Sequence, residues 1–241
     1  MLQELSVVIP TYNEKSNIEI LIPQLFEVFK RNAIDGEIII VDDSSTDGTQ
    51  DVIKEFVQIL DCIRPVFRTP PNSLSQSWYE GFNIASKKNI VCIDADLCHD
   101  PIYFLPMLNL METYDIIIGS RYINKGLHVM EGKPFYAILV SIVGQYLTRW
   151  TTGIRAKDTS HSFRMFRKDV FQTIKPALTC EGNAFLVEFL YLANRAGYKI
   201  GEIPITYGKR LHGATKLKVT KEGLRYLKLI AKLAVRRRFK K

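Results

Sequence analysis

Apolar, β-branched runs recur through the first half of this chain, separated by helix-like stretches, and no other feature limits its fold so strongly. The runs are Leu5–Ile9, Glu37–Val41, Cys62–Phe67, Ile90–Ile93 and Ile116–Ile118. Between them, Ser16–Arg31, Thr49–Leu60, Ser75–Lys87 and Pro101–Met111 read as helices. Such alternation predicts βαβ units and a mostly parallel α/β sheet. The runs are apolar on both faces, as expected when helices cover both sides. Right-handed crossovers then bring the loop after each strand to one sheet edge, where open α/β sheets bind ligands. The second half is less regular. Lys133–Thr151 reads as an apolar helix or helix pair, Thr159–Phe166 as a strand, Asn183–Arg195 as a helix, Tyr198–Ile205 as a strand and Lys216–Val235 as a final helix.

The loops at that edge are polar and acidic. Pro10-Thr11-Tyr12-Asn13-Glu14 follows the first run, and Asp42-Asp43-Ser44-Ser45-Thr46-Asp47-Gly48-Thr49 the second. Asp94-Ala95-Asp96 follows the fourth run and Gly119-Ser120-Arg121-Tyr122 the fifth. No GxGxxG or GxxxxGK[ST] follows any of them, which excludes the dinucleotide and P-loop phosphate turns.

Two carboxylates placed directly after a buried strand are costly unless something compensates them. A divalent cation does so, and hard oxygen donors suit Mg²⁺ or Mn²⁺, with water and phosphate oxygens completing the shell. The competing reading of Asp94 and Asp96 is a helix cap near Pro101. Asp42 and Asp43 end the second strand, where a carboxylate can accept hydrogen bonds from a ribose or a base. Asp43 is assigned to ligand and Asp47 to capping the next helix.

Charge separates along the chain. Residues 1–119 carry 8 basic and 18 acidic side chains, whereas residues 120–241 carry 25 basic and 7 acidic ones. Solubility alone gives no reason for that split. From Lys216 to Lys241 there are 11 basic residues and one acid, Glu222. Lys218, Lys221, Arg225, Lys228, Lys232 and Arg236 share one helical face; Leu217, Leu224, Leu227, Ala231 and Ala234 share another. A basic amphipathic helix of this kind lies on anionic membranes, and packing on the sheet is its alternative. Phe135, Tyr136, Leu139, Tyr146 and Trp150 give the Lys133–Thr151 segment the same two readings. No run is apolar enough to span a bilayer, and no signal peptide is expected before a strand that begins by Leu5. The four cysteines, Cys62, Cys92, Cys98 and Cys180, form no CxxC pair and read as buried thiols of a reducing compartment.

The segments IPTYNE, VDDSSTDGT, DADLCHDP, GSRY, DTSHSFRMF and KRLHGATKL occur in that order. Together they resemble the GT-A glycosyltransferases of family 2, and more narrowly the dolichyl-phosphate mannose synthases and related polyprenyl-phosphate glycosyltransferases. The resemblance spans residues 5 to about 220. It implies a GT-A unit over 1–215, with a nucleotide-binding half (1–119) and an acceptor half (120–215), followed by the basic helix 216–241. It also implies that Pro10, Tyr12, Glu14, Asp42 and Asp43 hold the nucleoside of a nucleotide sugar. Asp94 and Asp96 then hold the cation on its diphosphate. Where the family usually has a metal-assisting Gln, this chain has Cys98, a soft atom in a hard site that favours Mn²⁺ or leaves the position to water. His99 beside it is read as a supporting partner or a surface residue. The family's D-x-x-S-G-F-R is here Asp158-Thr159-Ser160-His161-Ser162-Phe163-Arg164, with His161 and Ser162 where the family has its small glycine. Asn72-Ser73-Leu74-Ser75 likewise replaces a glycine-containing turn. Arg210, Gly213, Thr215 and Lys216 match a late basic motif that closes over phosphates.

The expected activity is inverting transfer of a hexose, mannose from GDP-mannose by resemblance, to a polyprenyl phosphate. The setting is the cytoplasmic face of a membrane, by peripheral contact and with room for a membrane partner subunit. Arg121, Arg164, Arg210 and Lys216 are the expected phosphate-neutralising groups. Asp158 is the base required if the acceptor is a saccharide or protein hydroxyl instead. A silent nucleotide-sugar binder and a nucleic-acid-binding protein are the remaining rivals; the second leaves the acidic cluster unexplained.

Overall fold

A computed structural model describes residues 3–123, 135–206, 208, 226 and 228–233, with backbone alone for 135–140. The first half follows the expected alternation: β1 (Gln3–Thr11), α1 (Lys15–Arg31), β2 (Ile34–Asp42), α2 (Thr49–Ile59), β3 (Ile63–Phe67), α3 (Leu74–Ile84), β4 (Asn89–Cys92), α4 (Phe104–Leu110) and β5 (Ile116–Ser120). A 3-10 turn at Pro101–Tyr103 leads into α4, and Asp100 caps it by accepting the Ile102 N–H at 2.9 Å. That cap is the role the sequence left open for Asp94 or Asp96. The second half adds α5 (Phe135–Thr152), β6 (Arg164–Arg167), α6 (Lys168–Ile174), α7 (Ala184–Arg195) and β7 (Ile200–Pro204). Helix α6 was not expected, and the strand anticipated over Thr159–Phe166 is confined to its end, with 159–163 a loop.

Among the described residues, seven strands form one sheet in the order β3-β2-β1-β4-β6-β5-β7. The pairs β1–β2, β1–β4, β2–β3 and β5–β7 are parallel. Strand β6 runs antiparallel between β4 and β5, pairing Cys92 with Arg164 on one side and Ile118 with Arg164 on the other. Its N-terminal end therefore lies at the C-terminal edge of its neighbours. That reversal carries residues 158–163 to the acidic loops.

Both faces of the sheet are covered. Val7, Ile9, Val91 and Ile93 pack with Ile18, Leu21 and Leu25 of α1. Their neighbours Val8, Ile90 and Cys92 point the other way, onto Trp78 and Phe82 of α3 and Phe185 and Phe189 of α7. Each such side chain removed from water contributes about 1.5–3 kcal/mol. Helix α3 lies close on the sheet because Gly81 has no side chain: a Cβ there would meet Val8 Cγ1 at 2.4 Å.

Two outer helices depart from simple amphipathic packing. Helix α5 buries Gln145, Thr148, Thr151 and Thr152 and exposes Val143, Tyr146, Leu147 and Trp150, so its apolar side faces out. Residues 228–233 are helical and bury Leu229, Ile230 and Leu233 in the protein's own core. Ala231, expected on an apolar membrane-facing side, is exposed beside Lys228 and Lys232. Over this stretch the apolar side is covered by the body, because the packing alternative satisfies it. Lys232 also binds Thr179 Oγ1 at 2.8 Å. The remaining residues of that basic helix lie outside the described residues.

Candidate active site

The loops after β1, β2, β4 and β5 and the loop before β6 surround a cleft of about 540 Å³. Pro10, Tyr12, Glu14 and Asp43 line one side, Asp94 and Asp96 the floor, and Arg121, Ser160, His161 and Ser162 the other side. Ligand pockets typically have this size and position. Three non-glycine residues in these edge loops, Asn13, Ser44 and Leu97, adopt left-handed backbone at φ 54°, 65° and 63°. Such conformations cost on the order of 1–3 kcal/mol and concentrate where a site requires them.

The side of the cleft formed by the β1 and β2 loops is a pre-tied scaffold. Asp42 is fully buried and accepts from Thr11 Oγ1 at 3.0 Å, Ser45 N–H at 3.0 Å and Gln50 Nε2 at 2.7 Å. It is absent from the cleft lining and holds the β2 loop. Asp43 does line the cleft, but Arg68 pairs with it and the Ser73 N–H donates to it at 2.6 Å. Burial, opposed by Arg68, leaves the Asp43 carboxyl above its ordinary pKa. Asp47 binds the Thr49 N–H at 3.0 Å and the Lys15 N–H at 3.2 Å, tying the starts of α2 and α1 together as a cap. Glu14 accepts from Asn17 at 2.6 Å, and Tyr12 is exposed at the mouth of the cleft.

Asp94 and Asp96 emerge where β4 ends. Asp94 is half-buried and receives Ser162 Oγ–H at 2.8 Å on Oδ2; Asp96 is buried and accepts the Cys98 N–H at 3.1 Å. Two carboxylates that line a cleft fit a hard divalent cation with open positions for water and phosphate. Among the described residues no group of three His, Cys, Asp or Glu is arranged to hold a metal. Cys98 does not line the cleft: it is buried with its thiol 3.8 Å from the Asp96 carbonyl. The expected third position at Cys98 is thus turned into the β4 loop.

Beneath the carboxylates, His99 and His161 are both buried and their Nε2 atoms lie 3.2 Å apart. Burial lowers the pKa of both and favours neutral rings; for His161 the Arg121 charge adds to it. Sequence reasoning left His99 between a supporting role and the surface; its partner, 62 residues away, was not visible.

The basic side is selective. Arg121 lines the cleft and is oriented by Asp158, which accepts its Nε at 2.8 Å and an Nη at 3.0 Å. Asp158 is completely buried behind it and is not part of the cleft lining, unlike an exposed general base. Arg164 is also buried and absent from the lining. It donates to the main-chain oxygens of Leu186 at 2.7 Å and His161 at 3.0 Å, and burial lowers its pKa to about 10. These bonds fasten the 159–161 loop to α7. Arg210 and Lys216 lie outside the described residues. The loop is held from α5 too, where Gln145 accepts Thr159 N–H at 3.0 Å and donates to Ser160 Oγ at 2.9 Å.

Residues 6–175 match the family model for glycosyl transferase family 2. The chain is 35% identical over 225 residues to a dolichol-phosphate mannosyltransferase of Pyrococcus furiosus, a match covering 89% of this chain and 59% of that protein. It is 28% identical to an undecaprenyl-phosphate mannosyltransferase of Micrococcus luteus, over 87% of this chain and 86% of the relative. Its fold is similar to glucosyl-3-phosphoglycerate synthase of Mycobacterium tuberculosis, solved with Mn²⁺, UDP and glucosyl-3-phosphoglycerate. The TM-score is 0.68 at 19% identity, over 97% of this chain and 80% of that one.

Proposed function

This chain belongs to glycosyl transferase family 2 and is a glycosyltransferase of GT-A-like fold, and on that premise we propose that it moves a hexose, mannose from GDP-mannose, onto a polyprenyl phosphate at a membrane surface. One observation carries the reading: Asp94 and Asp96 line a cleft that also presents Arg121. The carboxylates are set to receive the donor's diphosphate through a cation, and Arg121 is set to receive a second anion. The relatives' names point to mannose and to polyprenyl phosphates.

An acceptor phosphate is ionised near neutral pH, so its oxygen needs orientation and charge neutralisation and no proton removal. That oxygen forms a bond to the anomeric carbon as the bond to the diphosphate breaks, inverting the centre, and the nucleoside diphosphate leaves with the added negative charge. Asp94 and Asp96 would hold a divalent cation, Mg²⁺ or Mn²⁺, whose positive charge would stabilise this leaving group. Arg121 orients the attacking phosphate, and Arg210 and Lys216, which match the late basic motif, are the further candidates for neutralising it. Asp94, Asp96, Asp43, Glu14 and Tyr12 hold the donor. A hydroxyl acceptor would require an accessible base, and the buried, Arg121-bound Asp158 speaks against one.

The membrane setting draws on α5, whose exposed Val143, Tyr146, Leu147 and Trp150 fall on one helical face. An apolar face with aromatic residues suits the interface of a lipid bilayer. Among the described residues no helix is long and apolar enough to cross a membrane. Peripheral contact at the cytoplasmic face, with or without a membrane partner subunit, is the arrangement we propose.

The test is a panel of GDP- and UDP-sugars offered with a short polyprenyl phosphate and Mn²⁺ or Mg²⁺. Lipid-linked mannose from GDP-mannose, lost on chelation, is the expected product. Donor use only with a sugar hydroxyl acceptor would overturn the lipid-phosphate reading.

A further inference from the structure

His99 and His161 are joined by bonds that leave little freedom over where their protons sit. The Asp94 N–H lies 3.0 Å from His99 Nδ1, and a backbone N–H only donates, so that nitrogen carries no proton. His161 Nδ1 lies 2.7 Å from the Gly119 carbonyl oxygen, which only accepts, so that nitrogen is protonated. With its Nδ1 bare, His99 carries its proton on Nε2, and the His161 Nε2 opposite it accepts through a lone pair. These are the two atoms that face each other at 3.2 Å. The Asp94 carboxylate Oδ2 is farther from His99 Nε2, at 4.0 Å, and already receives Ser162 Oγ–H. The His99 ring stacks on Phe163 with centroids 5.0 Å apart and stands edge-on to His161.

The geometry points to a directed chain of three hydrogen bonds, Asp94 N–H to His99, His99 to His161 and His161 to the Gly119 carbonyl, through which the two histidines act as positioning residues for the cation-holding carboxylates. The chain spans the gap that β6 opens between β4 and β5. At one end it fixes the main chain of Asp94. At the other it fixes the carbonyl of Gly119, two residues before Arg121. Ser162, next to His161, holds the Asp94 side chain, so one short loop governs both the backbone and the carboxylate of that residue. Outer partners of this kind keep first ligands in place, and losing one typically weakens metal affinity about 10- to 100-fold. The inference rests on the proposed donor site and deepens it.

Two measurements on the full chain decide it. Long-range nitrogen–proton spectra of protein isotope-labelled at histidine, taken at neutral pH without nucleotide, should show His99 protonated on Nε2 only and His161 on Nδ1 only. Doubly protonated rings, or the opposite tautomers, would overturn the chain of bonds whatever the nucleotide results. Calorimetry then follows GDP, and UDP in turn, binding with Mn²⁺. H161F removes the bonds of His161 to His99 and Gly119 and should weaken Mn²⁺-dependent nucleotide binding about 10- to 100-fold. H161Q, whose amide oxygen reaches for the His99 proton, should recover part of the loss. If H161F does not fold, H161N, which keeps only the Gly119 bond, should show the same loss. Nucleotide binding by these variants equal to wild type would overturn the positioning role. A wild-type protein with no Mn²⁺-dependent nucleotide binding would count against the donor site itself, with the spectra still deciding the bonds.

Discussion

Away from the cleft, Glu37 shows how a single buried carboxylate is held in its ionised form. It accepts from Ser6 Oγ at 2.6 Å, from the Ser86 N–H at 2.6 Å and from Ser86 Oγ at 2.9 Å, with Arg64 Nε at 3.0 Å from the other oxygen. Burial acts to raise its pKa, but these donors and Arg64 outweigh it and hold the group below 4.5. A carboxylate with a depressed folded-state pKa adds stability above its unfolded value and loses it as pH falls through the folded value. E37Q should therefore be destabilised near neutral pH by about 2 kcal/mol. The gap from wild type should close progressively in chemical unfolding curves taken below pH 4.5. A gap that stays constant across that range would mean that the charge of Glu37 contributes nothing. Asp42 and Arg164 were both expected at the ligand, and both are hydrogen-bonded to protein groups.

Among the elements, α5 makes the sharpest demand on its surroundings. It presents Gln145 and three threonines inward and Val143, Tyr146, Leu147 and Trp150 outward. Water alone does not favour that arrangement, and a lipid interface does. Y146S combined with W150S should cut sedimentation with anionic vesicles several-fold while leaving thermal unfolding nearly unchanged, because both side chains are exposed. Undiminished vesicle binding would remove α5 from the membrane contact. The elements also explain what the sequence could reveal. β1, β2, β4 and β5 were readable because strands buried on both faces leave apolar runs such as Ile38-Ile39-Ile40-Val41. Asp94 and Asp96 stood out because charge directly after such a run requires a reason. β6 was blurred because Arg-Met-Phe-Arg is short and begins with an arginine whose burial depends on main-chain acceptors from a distant helix. Its antiparallel direction leaves no mark in its composition. The His99–His161 contact depends on that direction and was hidden with it.

At the scale of the whole molecule, the reversed strand joins the two chemically different halves of the chain. The acidic half supplies the β1, β2 and β4 loops, and the residues after β5 and before β6 supply Arg121, His161 and Ser162. Anionic and cationic groups thus face each other across one cleft, as the proposed pair of anionic reactants requires. The proposed function makes nucleotide binding conditional on a cation held at the end of β4. The most direct measurement is a calorimetric titration of wild type and D96N with nucleoside diphosphate, in the presence and absence of Mn²⁺. Wild type should bind strongly only with Mn²⁺, and D96N should lose at least about tenfold of that affinity while remaining folded. Equal, Mn²⁺-dependent binding by D96N would contradict the account, because the cation would then be held somewhere other than the β4 carboxylates.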